Sequence, residues 1–311
     1  MKDHTAGDPM NAAIKWTNLK RREISEAFAL RELNVTMHVV KQLLNKHGYV
    51  KRKMKKTATM KEAENRNEQF ERINELRIEY EGTGNPIISI DVKKKEETGN
   101  FYRAGQCYCT EAMEVYDHDF KSFSEGVIIP HGIYDIRMNI GYVTLGNSKD
   151  TSEFCCECIN DWWLNHGRAN YPSAESILIL ADGGGSNSSR HYIFKEDLQK
   201  LADKIGVEIR MAHYPPYTSK YNPIEHRLFC HVTRACEGTV FSNIEVVQGL
   251  VEKTSTTKGL KVFSVIKDKV FETGRKVAEG FKDNMRIVFD DFLGAWNYKA
   301  IPCAKESEVI L

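Results

Sequence analysis

The sequence predicts an α/β protein, a mixed sheet flanked by helices with a small helical segment at its front. Three observations carry this reading. Apolar residues recur at helical spacing before residue 50. Short apolar runs bounded by turn residues begin at Asn85. Further along, strand-like and helix-like stretches alternate. With 311 residues the chain makes one large domain or two modest ones.

Trp16 to Tyr49 reads as helices. Ile24, Phe28 and Leu33 mark an apolar stripe in the first half, and Val39, Leu43 and Leu44 in the second. Asn34-Val35-Thr36 interrupts them, and Thr36 suits the cap of the second helix. Helix, short break and basic second helix outline a helix-turn-helix; a plain helical hairpin has the same outline. Residues 57–82 read as one polar helix with Phe70, Ile73, Leu76 and Ile78 inside, ending at Gly82-Thr83-Gly84.

From Asn85 the texture changes. Ile87-Ile88-Ser89-Ile90-Asp91 is a short β run, and Asn100 to Cys109 suggests a second strand. Ile133 to Asp135 and Gly141 to Gly146 suggest two more around a turn at Met138-Asn139. A helix follows over about 151–166, where Asp150 and Glu153 have capping-box spacing. Ser176 to Leu180 is a buried strand ending at Ala181-Asp182-Gly183, Tyr192 to Ile205 a helix, and Val207 to Ala212 another strand. Asn222-Pro223 opens a helix through Glu237. The chain thus divides into a front segment over 1–56, a helical linker over 57–84, a main domain over 85–300 and a tail over 301–311.

Composition excludes some classes. The longest uninterrupted apolar run, Ile177 to Ala181, is far short of the roughly 20 residues of a membrane-spanning helix. The first ten residues lack the layout of a secretory signal. Among eight cysteines, Cys155 and Cys158 form one Cys-x-x-Cys, best read as buried thiols on a helix face. Reduced thiols and no signal favour the cytoplasm. The formal net charge of +1 hides an asymmetry: residues 1–60 carry 13 Lys/Arg against 5 Asp/Glu. The densest part, Lys51-Arg52-Lys53, suits either a polyanion-binding arm or a solvated linker.

Three carboxylates stand where α/β sheets bind ligands. Asp91 closes the strand IISID, Asp182 closes ILILAD, and Glu225 lies at the start of the helix NPIEHRLF. Such a cluster repels itself unless a cation sits there, and hard oxygen ligands select Mg²⁺ or Mn²⁺. Each has an ordinary alternative. Asp91 suits a turn into Lys93-Lys94-Lys95, Asp182 a turn before three glycines, and Glu225 a capping box with Asn222. The flanks add phosphate-binding groups. Gly183-Gly184-Gly185 permits close backbone approach, with Ser186 and Asn187 as donors, Lys220, His226 and Arg227 surround Glu225, and Lys93, Lys94 and Lys95 are expected to bind backbone phosphates. His213 and His226 are weaker candidates for metal ligands.

The combination of ISIDVKKKE, HGIYD, GYVTLG, DTSEF before a Trp-Trp pair, ADGGGSN and YPPYTSKYNPIEHRLF resembles the insertion-sequence transposases of the ISAzo type, whose core is the Rhodopirellula-type DDE domain. The resemblance runs from about Gly7 to Tyr298 and includes TTKGLKV at 256–262 and WNY at 296–298. It implies an RNase H-like core whose Asp-Asp-Glu triad falls on Asp91, Asp182 and Glu225. It also implies two Mg²⁺ (or Mn²⁺) ions, hydrolytic release of a 3′-hydroxyl at the element's end, and its attack on target DNA. The implied partners are element-end and target DNA and a second copy of the chain, and the implied location is the nucleoid. The front segment is shorter than the family's and is expected to hold only part of a helix-turn-helix-like DNA-binding module. Two rivals follow: an RNase H-like nuclease that never joins strands, and a truncated DNA-binding remnant without catalysis.

Overall fold

The computed structural model describes residues 6–8, 11–52 and 64–303, with side chains from Thr17 onward. Lys53 therefore lies outside the described residues, as do 304–311 of the expected tail. The chain divides into two units, Met1–Met60 and Lys61–Leu311.

The first unit opens with a two-stranded antiparallel ladder, β1 (Ala6–Asp8) and β2 (Asn11–Trp16), ahead of the expected helices. Helix α1 (Arg21–Ala29) starts where the Lys20 backbone N–H donates to Glu23 Oε2 at 2.6 Å. Thr36 caps α2 (Met37–Lys46), its hydroxyl accepting from the Val39 N–H. Ile24 and Val40 are the buried apolar residues of this pair, whereas Leu33 and Val39, expected inside, are exposed. Lys51 and Arg52 follow α2 and are exposed.

The second unit begins with α3 (Arg66–Thr83), which ends at Gly84 in the left-handed conformation. This helix overlaps the one expected over 57–82, of which 57–63 lie outside the described residues, and its Ile73, Leu76 and Tyr80 pack into the core beside Ile87 and Leu178. Next come β3 (Ile87–Val92), β4 (Glu96–Thr98), β5 (Gly126–Asp135) and β6 (Ile140–Gly146). No strand forms over 100–109; apart from one 3₁₀ turn, Lys121–Phe123, the chain is irregular between β4 and β5, and Tyr102 and Tyr108 are exposed. Helix α4 (Ser152–Trp162) passes through a π-helical turn, Trp163–Gly167, into the short α5 (Arg168–Asn170). Thr151, not Asp150, caps α4, accepting from the Phe154 N–H. Strand β7 (Ser176–Ala181), helix α6 (Tyr192–Ile205) and strand β8 (Glu208–His213) follow. A π-helical turn, Glu225–Phe229, leads into α7 (Cys230–Ala235). Last come α8 (Ile244–Glu252), β9 (Lys261–Lys267), α9 (Phe281–Asn284), β10 (Ile287–Phe289) and β11 (Asn297–Ala300).

The sheet runs β10-β11-β8-β7-β3-β5-β6-β9, with β4 beside β5. Strands β3, β7 and β8 are parallel neighbours, and β5 is antiparallel to both β3 and β6. The central order β6-β5-β3-β7-β8 with these directions is an RNase H-like sheet. Period-two alternation splits its two faces. Ile88, Ile90, Ile177, Ile179 and Ala181 pack with Phe154 and Ile159 of α4 and Phe194 and Leu198 of α6. Ile87, Leu178 and Leu180 face α3 on the other side. Every residue of β7 is buried, which is why that strand reads as a continuous apolar run. The WNY stretch is structural. Asn297 exchanges side-chain hydrogen bonds with Gln69 of α3, and the Tyr298 hydroxyl meets His213 Nε2 at 2.9 Å.

Cys155, Cys156 and Cys158 are buried free thiols, as read from the sequence. Two buried histidines make stability depend on pH. Burial lowers His131 to about 4, and burial with the nearby Lys195 charge lowers His213 to about 3. Their Nδ1 atoms have no hydrogen-bond partner. The unfolded chain protonates both near pH ~6.5, so below that pH it binds more protons than the folded one. The contribution of these neutral rings is therefore complete above about pH 6.5 and shrinks as pH falls toward about 4. The urea midpoint is expected to drop between about pH 7.5 and about pH 5, and to drop less in His131→Gln. An equal drop in the variant would contradict this.

Candidate functional site

The two aspartates are brought together by strand register. In the parallel pair β3–β7, Ser89 stands beside Leu180, and Asp91 and Asp182 each lie two residues further along. Both therefore sit at adjacent carboxyl-terminal strand ends, on the face that carries Ser89 and Leu180. Asp182 Oδ1 accepts the Gly184 N–H at 3.0 Å, and Gly183 takes φ +72°, so the chain turns sharply without covering the carboxylate. Asp91 Oδ1 accepts the N–H of Val92 at 2.7 Å.

Glu225 is delivered by a buried clamp. Asn222, fully buried, accepts from the Ser89 hydroxyl at 2.5 Å and donates to the Ile90 carbonyl at 3.0 Å. The Ser89 hydroxyl oxygen also accepts the Ile224 N–H at 3.0 Å. Both ends of the clamp lie on β3 just before Asp91, so the turn carrying Glu225 is fastened beside that aspartate. Small residues let the turn lie against the sheet. A Cβ on Gly132 of β5 would come within 2.5 Å of Phe229 and 2.8 Å of Ile224. The capping-box alternative for Glu225 does not hold: the Asn222 side chain bonds to β3, and the Glu225 N–H reaches the Asn222 carbonyl instead.

The electrostatics follow from this placement. The Asp91 carboxyl is held well above the usual carboxylate range, first by burial, then by the charges of Asp182 and Glu225. Three oxygen-donor side chains that disfavour each other's charge are the donor set a hard divalent cation would neutralise. Among the described residues, no group of three or more Asp, Glu, His or Cys side chains is arranged to hold a metal ion.

Asp91 and Asp182 line one cavity of about 300 Å³, together with Lys93, Lys94, Lys95, Ser186 and Asn187. Glu225 is outside its lining, and Asp150, read from sequence only as a helix cap, is inside it. Lys93 pairs with Glu96 at 2.6 Å, while Lys94 and Lys95 are exposed. Asn187 is buried and Ser186 partly so. Near Glu225, His226 and Arg227 are exposed, and Lys220 lies over the Tyr221 ring at 5.0 Å. His213, one of the weaker ligand candidates, is fully buried and bonded to Tyr298. The sequence reading missed Asp150, Ser89 and Asn222. The one signal for Asp150 was local: Thr151 beside it is a competing cap, which leaves the aspartate spare.

A family model described as the Rhodopirellula transposase DDE domain matches residues 1–302. No curated protein matches the sequence. Among solved structures, a Mos1 transposase paired-end complex with the left transposon end is similar at 15% identity and a TM-score of 0.46, over 80% of this chain and 72% of that one. The Mos1 strand transfer complex is similar at 14% identity and a TM-score of 0.44, over 80% and 72% of the two chains. The mariner Mos1 paired-end complex with Mg gives 12% identity and a TM-score of 0.44, over 76% and 70%.

Proposed function

Since the chain belongs to the Rhodopirellula transposase DDE domain family, we propose that it cuts DNA at insertion-sequence ends and joins the freed 3′-hydroxyl to target DNA, with Asp91, Asp182 and Glu225 as its acidic triad. The observation that carries this is the register of β3 and β7, which sets Asp91 beside Asp182 in one cavity while the Asn222 clamp fastens Glu225 next to Asp91. These three carboxylates would hold two Mg²⁺ or Mn²⁺ ions, which supply a water of lowered pKa and neutralise charge on a leaving oxygen.

The chain's own groups do the rest. Asp91 feels the charges of both other carboxylates and would hold a cation together with either of them. Lys94, Lys95 and the backbone N–H groups over Gly185–Asn187 bind and orient phosphates at the mouth of the cavity. Lys220, His226 and Arg227 bind phosphates beside Glu225. In the first unit Lys51, Arg52 and Lys53 bind DNA backbone. No protein nucleophile is required. Bringing two element ends together calls for a homo-oligomer on DNA.

Strand transfer distinguishes a transposase from a nuclease of the same core. Pre-cleaved 3′-hydroxyl ends, supplied with a plasmid target and Mg²⁺, are expected to be joined to the plasmid. Hydrolysis of such DNA without joined product would assign a nuclease, and no Mg²⁺-dependent change in any DNA would assign a non-catalytic remnant. The lysines add a separate expectation. Each phosphate contact contributes about 0.9 to the slope of log affinity against log salt, so replacing both Lys94 and Lys95 by Ala should flatten it by about 2. A salt titration by fluorescence anisotropy measures this, and an unchanged slope would remove both lysines from the DNA contact.

A further inference from the structure

Resting on that reading of the site, we infer that Asp150 is a positioning residue of the same pocket, a fourth acidic group that accepts hydrogen bonds from the water ligands of the cations held by Asp91 and Asp182. Three observations lead to it. Asp150 lines the 300 Å³ cavity together with both aspartates. Its Oδ1 is buried and has no hydrogen-bond partner. The helix that follows does not use it, because Thr151 caps α4 through a 3.1 Å bond from the Phe154 N–H.

The ordinary role of an aspartate just ahead of a helix is to face the positive end of the helix dipole, worth about 0.3–1 kcal/mol at an exposed site. That role asks for no burial. A carboxylate oxygen kept buried without a donor costs about 1–3 kcal/mol or more, so something that brings donors is the natural complement. Water bound to a divalent cation is such a donor, and carboxylates that hold such waters fix the orientation of an ion site. Asp150 thereby adds a further negative group to the wall that carries Asp91 and Asp182.

The test is Mn²⁺ binding to the full chain without DNA, read by electron paramagnetic resonance of free Mn²⁺, for wild type, Asp150→Asn, Asp150→Ser and Asp182→Asn. Thermal melting in EDTA accompanies each. Both Asp150 variants are expected to weaken Mn²⁺ binding about 10-fold, with cation-free melting unchanged or raised. Wild-type affinity in both, with loss in Asp182→Asn, would overturn the role of Asp150 and leave the triad standing. Wild-type affinity in all three variants would overturn both. Lowered cation-free melting in both Asp150 variants would assign the residue to folding and overturn the inference.

Discussion

Asp182→Asn is expected to lower DNA cleavage by about 10³-fold while DNA binding stays at wild-type strength, because a lost metal ligand removes several kcal/mol of transition-state charge stabilisation at about 1.36 kcal/mol per decade. The same variant should be more stable than wild type without cations. Asn keeps the oxygen that accepts the Gly184 N–H, so the turn survives. It removes a negative charge beside Asp91, whose acid form that charge favours. The gain should be about 1 kcal/mol, the scale of one pKa unit. Melting in EDTA should therefore rise in the variant that no longer cuts. These two effects of opposite sign separate a site built for a cation from an aspartate that merely makes a turn. A turn aspartate replaced by Asn would change neither cleavage nor cation-free melting. Cleavage at the wild-type rate by Asp182→Asn would remove this residue from the triad.

The parts of this fold that are legible in the sequence are those whose physics is local. Helix α6 spans Tyr192–Ile205 and β7 spans Ser176–Ala181, close to the bounds that periodicity and flanking turn residues give. Thr36 caps α2 as its position suggests. The misses depend on partners far along the chain. Strand β9 pairs with β6 over residues more than a hundred positions apart, and the short strands β11 and β10 take their identity from pairing with β8 and with β11 respectively. The apolar and aromatic residues over 100–109 looked strand-like, but the long partner of β3 begins only at Gly126. The site divides in the same way. Its three carboxylates were recognisable as residues that end strands or open a turn. What holds Glu225 beside Asp91 was not, because the bonds of Asn222 to Ser89 and Ile90 cross more than 130 positions. Local spacing offered only a capping box, which satisfies Asn222 within its own turn. The fold uses that side chain to tie two distant segments together.

Asn222→Ala tests that tie directly, and its effect should fall on cleavage as well as on stability. The substitution strands two buried groups, the Ser89 hydroxyl and the Ile90 carbonyl, each left without its partner at about 1–3 kcal/mol. A total loss of about 2–5 kcal/mol in unfolding free energy is expected from urea titration. The buried Ile224 and Phe229 still seat the turn against Gly132, so the chain should fold at low temperature. Glu225 then loses its fixed offset from Asp91, and a displacement of about 1 Å can cost about 10²-fold in rate. Cleavage by the folded variant should therefore fall by about 10²-fold. Ser89→Ala provides the comparison. It removes the hydroxyl that joins Asn222 to the Ile224 N–H, yet the 3.0 Å bond from Asn222 to Ile90 persists. If the clamp positions Glu225, cleavage by Ser89→Ala should lie between wild type and Asn222→Ala, measured on protein shown to be folded. If Asn222 serves stability alone, both variants should cut at the wild-type rate below their melting temperatures, and the fastening of Glu225 to β3 would then have no part in the chemistry.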